Sequence, residues 1–165
     1  MNKSLASTIL SAVLVAALSG CGGVGPKEAT STEPHYPHFT ESGDIQEKTT
    51  GAAVMPDFLK SQNENVALVY KAVAQYTDLL DDIPCYCGCG ESAGHRSSKD
   101  CFIQEIQEDG AVVWDDHGTK CNVCMEIAVE SITLSRDGKS AQDIRAIIDT
   151  KYKEGYATPT NTPSI

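Results

Sequence analysis

The chain has 165 residues and a formal net charge of −10, from 13 basic and 23 acidic side chains. An acidic surface of this kind is repelled by nucleic-acid phosphate and by anionic lipid, which argues against electrostatic binding to either. Seven cysteines in so short a chain make sulfur the leading chemistry.

The N-terminus carries Lys3 and then an apolar run from Leu5 to Leu18, broken only by Ser7, Thr8 and Ser11. This is the pattern of a secretory signal peptide over residues 1–20, too short for a comfortable membrane span. It closes on Leu18-Ser19-Gly20-Cys21, which resembles the lipobox of bacterial lipoproteins. That resemblance implies a lipid on Cys21 and cell-membrane anchoring at the extracytoplasmic face. Residues 21–55 are rich in Gly, Pro, Ser, Thr and acids and poor in aliphatic side chains, so they are expected to form a flexible tether.

Ser61-Gln62-Asn63-Glu64 has the form of a capping box. Val66, Val69, Tyr70, Val73, Tyr76, Thr77 and Leu80 then recur at helical spacing, predicting a helix over 62–81. Pro84 disfavours helical geometry at Ile83 and ends it. Cys101 to Trp114 reads either as a short helix or as a β-hairpin turning at Asp109-Gly110. A second major helix is predicted from Cys121 to about Ser135. A third opens at Ser140 and presents Ile144, Ile147, Ile148 and Tyr152 on one face. The expected fold is therefore mostly α: one small domain over 56–155 with about three helices and a Cys-rich loop, followed by a frayed tail over 156–165.

Pro84-Cys85-Tyr86-Cys87-Gly88-Cys89 places three cysteines at alternate positions. In extended backbone alternate side chains share a side, so the three sulfurs can converge. Cys121 and Cys124 stand at i and i+3 at a helix start, where exposed N–H groups and the helix dipole favour thiolate. Three loop sulfurs facing two helix sulfurs make a soft pocket suited to Cu(I), Zn(II) or an iron–sulfur cluster rather than Mg or Ca. Cu(I) is favoured because it accepts two, three or four sulfurs and shares a crowded thiolate set. Cys101, His95 and His117 are further candidate ligands. Two other readings stay open: thiol–disulfide exchange by the Cys121/Cys124 pair, and three disulfides stapling an interaction module. No hydrolase, phosphate-binding or HExxH motif is present, so catalysis is not expected.

Taken together, the Pro84–Cys89 motif, Gly94-His95, Asp100-Cys101-Phe102, Trp114, His117 and Cys121-Asn122-Val123-Cys124 resemble the bacterial lipoprotein family named for its PCYCGC motif. The resemblance spans roughly residues 55–155, and the lipobox and tether fit it. It implies that these residues belong together and carries little about purpose. The expectation is a membrane-anchored lipoprotein that buffers copper or exchanges it with a donor or acceptor protein, without nucleic-acid partners.

Overall fold

The computed structural model of the protein describes residues 37–165. The signal peptide, Cys21 and most of the expected tether lie outside the described residues.

Four antiparallel strands form one sheet in the order β1-β2-β4-β3: β1 His38–Phe39, β2 Ile45–Thr49, β3 Ile103–Ile106 and β4 Val112–Asp115. Six α-helices accompany it among the described residues: α1 Glu64–Val73, α2 Thr77–Asp82, α3 Cys89–Ser92, α4 His117–Lys120, α5 Asn122–Arg136 and α6 Ala141–Lys151. The mostly-α expectation is thus corrected to a mixed α/β fold. The β3–β4 hairpin forms, with Gly110 at φ 85° supplying its turn. Its partner β2 comes from the segment read as tether, with Gln46 opposite Asp115 and Thr49 opposite Val112.

That strand is held by polar side chains. Thr49 Oγ1 accepts from the indole N–H of buried Trp114 at 2.8 Å. Buried Glu47 accepts from the backbone N–H groups of Asp57 and Phe58 at 2.6 and 3.2 Å, opening a 3-10 turn over Asp57–Ser61. Asp116 Oδ1 accepts from Ile45 N–H at 2.7 Å. Each bond satisfies a backbone or ring donor that would otherwise be stranded.

The expected helix over 62–81 divides at Ala74–Tyr76 into α1 and α2. Its N-cap is Asn63, which accepts from Val66 N–H at 3.1 Å, in place of the Ser61 capping box. Ile83 is extended ahead of Pro84, and Ser140 caps α6, both as expected. The core joins Tyr70, Val73, Leu80, Ile83, Phe102, Ile103, Trp114, Ile127, Ile144 and Ile148 between the helices and one face of the sheet.

The tail is ordered onto the cysteine loop. Ala157 N–H donates to Tyr86 C=O, and Thr160 N–H donates to Cys85 C=O, each at 3.0 Å. In return Thr160 Oγ1 accepts from Cys85 N–H at 2.9 Å.

Candidate metal centre

Tyr86 points the opposite way from its cysteine neighbours. Its hydroxyl donates to Asp149 on α6 at 2.6 Å, and its ring stacks on Tyr152 at 5.8 Å. With Tyr86 anchored there and the tail pinned across the backbone, Cys85, Cys87 and Cys89 face inward, their sulfurs all within 4.8 Å of one another. Gly88 turns the loop at φ 92°, a conformation that costs other residues about 1–2 kcal/mol.

Three further segments close on the loop. Cys101 ends a 3-10 turn over Lys99–Cys101 directly before β3. His117 opens α4 after β4; its backbone N–H donates to Asp115 Oδ1 at 2.9 Å and its ring Nδ1 bonds Asp44 Oδ2 at 3.1 Å. Cys121 is the extended N-cap of α5 and Cys124 lies in that helix's first turn. Gly118 lets α4 settle on Phe102: a Cβ there would stand 2.5 Å from the ring.

The result is one continuous cluster of six thiols and two imidazoles. Cys85, Cys87 and Cys124 form a triangle of sulfurs with every side 3.4 Å. Cys89 and Cys101 stand 3.6 Å apart, and Cys87 Sγ lies 3.8 Å from His117 Nε2. Thiolates sharing one tetrahedral ion at about 2.3 Å each would be separated by roughly 3.7 Å, close to these spacings. All six are free thiols. Two four-residue groups bring their ligand atoms within 4.8 Å: Cys87, His117, Cys121 and Cys124, and Cys89, His95, Cys101 and His117.

Access differs across the cluster. Cys85, Cys89, Cys101 and Cys124 are buried, whereas Cys87 and Cys121 are half-buried and the His117 side chain is 17% exposed. His95 is 4% exposed; its Nε2 faces Asp115 Oδ2 at 3.9 Å and its Nδ1 has no hydrogen-bond partner. A buried imidazole nitrogen without a partner is costly, and one ring nitrogen of His95 lies within 4.8 Å of the Cys89 and Cys101 sulfurs.

Protons are shared unevenly. Bonding from Cys101 and then Cys124 brings the Cys85 thiol down to about 4. Cys87 is held far below the ordinary thiol range by Cys101, Cys121 and Cys124, while Cys124 is pushed far above it by Cys101 and Cys121. Cys121 and then Cys87, assisted by Asp44, push His117 up to about 11. Thiols packed this closely ionise unevenly, some lowered and others raised, and a bound cation would take the place of the shared protons.

Every candidate ligand read from sequence except the lipidation residue is drawn into this cluster; Cys21 lies outside the described residues. Two supporting residues were not among the expected ones: Asp44, which bonds the His117 ring, and Asp115, which accepts from the His117 backbone N–H. Asp44 sits in a Ser42-Gly43-Asp44 turn whose composition signals only a turn.

A family described as a protein of unknown function with PCYCGC motif matches residues 10–165. No curated protein and no solved structure matches the chain.

Proposed function

Because the chain belongs to the PCYCGC-motif family, whose function is unknown, we propose from the site itself that it binds soft metal ions through its Cys/His cluster, with Cu(I) as the physiological ion. One observation carries this reading: six sulfurs and two imidazoles share one contiguous network, more donors than a single tetrahedral ion uses. Thiolate-rich, mixed S/N surroundings suit Cu(I), which takes low coordination numbers and shares sulfurs between ions. Zn(II) is the competing ion for either four-residue group.

A self-contained Cys121/Cys124 redox pair is the weaker reading. Cys124 makes its closest sulfur contacts to Cys85 and Cys87, at 3.4 Å, and not to Cys121. The cluster gathers more sulfur donors than a thiol–imidazole pair would use, so we assign binding and exchange of the ion rather than catalysis.

The proposed setting is the extracytoplasmic face of the cell membrane, supported by Leu18-Ser19-Gly20-Cys21 at the end of the apolar leader. A lipid on Cys21 would tether the chain. Among the described residues no helix is long and apolar enough to cross a membrane. There the domain would buffer copper or pass it to an acceptor protein.

Elemental analysis of full-length protein purified without oxygen, with a parallel free-thiol count, tests the assignment. Copper with thiols masked until a chelator strips it is the expected result. Metal-free protein with reactive thiols that takes up no added ion would overturn it. Cys21→Ala should release the protein from the membrane fraction; continued membrane association would refute the lipid tether.

A further inference from the structure

Cys85 belongs to neither four-residue group of the cluster and stands between them. Cys85 Sγ lies within 4.8 Å of the sulfurs of Cys87, Cys89, Cys101 and Cys124. Those four belong to different sets. Cys87 and Cys124 group with Cys121 and His117 at the half-buried mouth; Cys89 and Cys101 group with buried His95. Resting on the metal reading above, we propose that the centre holds two ions of unequal access, bridged by the Cys85 thiolate: an outer, exchangeable ion that shares Cys85 and draws its remaining ligands, no more than three at a time, from Cys87, Cys121, Cys124 and His117, and an inner, retained ion on Cys85, Cys89, Cys101 and His95.

Three observations support the division. His117 can serve only one position, because Asp44 occupies its Nδ1 and leaves Nε2, which lies nearest Cys87. The inner position gains a ring nitrogen of buried His95, within 4.8 Å of the Cys89 and Cys101 sulfurs, so each ion has one imidazole. Cys85 is suited to bridging because both its backbone N–H and its C=O are fixed by Thr160, which leaves the loop little freedom to favour one ion over the other.

The division also gives the outer ion a route out. Cys87 and Cys121 are its two half-buried ligands, and Met125, one turn along α5 from Cys121, is partly buried against the core. An acceptor offering its own thiolates or imidazoles would displace Cys121 and Cys87 first and leave Cys85 to the inner ion. The partner is accordingly a soft-ligand protein that docks at the α4–α5 junction.

Full-length protein loaded with cadmium-113, a spectroscopic stand-in for the soft ion, tests the bridge by proton–cadmium correlation. Two cadmium resonances are expected, with the Cys85 β-protons coupled to both. Two resonances sharing no cysteine, or a single resonance, would overturn the bridged pair while leaving metal binding intact. Failure to bind cadmium at all would overturn the parent reading with it. Chelator extraction supplies the second readout: two phases in the wild type, the fast one lost in Cys121→Ser and the slow one lost in Cys101→Ser. A single phase in the wild type would contradict unequal access.

Discussion

Asp44 and His117 stand 73 positions apart and are joined by a 3.1 Å bond between Oδ2 and Nδ1. The bond ties the β1–β2 turn to the first residue of α4 and fixes which imidazole nitrogen faces the sulfurs. Lys120 closes on the same carboxylate at 3.3 Å and Ser42 donates to it at 2.8 Å. A carboxylate behind a ligating histidine sets its tautomer and orientation, and losing such a partner weakens metal binding about 10–100-fold.

Asp44→Asn should therefore lower affinity within that range while leaving the far-UV spectrum unchanged. His117→Gln should lower it further. Competition against a calibrated chelator measures both. Equal affinities for wild type and Asp44→Asn would remove Asp44 from the site's support.

Gly88→Ala tests the loop turn. At φ 92° an added Cβ meets Ala157 Cβ at 3.6 Å, so space is adequate and the cost is backbone strain. A loss of about 1–2 kcal/mol is expected from denaturant unfolding of the metal-free protein. A neutral result would mean the loop relaxes freely.

Gly118→Ala should be worse tolerated for a different reason. Its Cβ would stand 2.5 and 2.6 Å from the Phe102 ring and 3.0 Å from Cys101 C=O. Overpacking of this kind costs about 1–3 kcal/mol. Pairing it with Phe102→Leu should recover part of the loss, as read by thermal unfolding; no recovery would place the strain elsewhere.

Thr160→Val removes the acceptor for Cys85 N–H. Leaving that buried donor without a partner should cost about 1–3 kcal/mol. It should also speed the reaction of the loop cysteines with a thiol reagent in metal-free protein. Unchanged thiol kinetics would show that the tail decorates the loop without holding it.

Local signals in the sequence were reliable where one residue type enforces the geometry. Pro84 stopped the helix and Ser140 capped α6, accepting from Asp143 N–H at 3.2 Å, while Asp109-Gly110, in a segment open to either hairpin or short helix, turned the hairpin. The clustering of cysteines was equally legible from their spacing, but the expected extended alternation is replaced by a turn: Gly88 at φ 92° and Cys89 at the start of α3 bring the sulfurs together. What stayed hidden depends on long-range polar bonds. β2 contains Ile45 as its one aliphatic residue, and Glu47 and Thr49 are buried only because Asp57, Phe58 and Trp114 donate to them. Composition therefore reads that strand as solvated chain. The tail is held by backbone bonds and the Thr160 hydroxyl, which leave no apolar periodicity to detect.

The most direct test of the central claim is an oxygen-free Cu(I) titration of full-length, metal-free protein against a chromophoric Cu(I) chelator, with free thiols counted at each step. The account predicts saturable withdrawal of copper from the chelator and progressive masking of Cys85, Cys87, Cys89, Cys101, Cys121 and Cys124. Copper left on the chelator while those thiols stay reactive would contradict it.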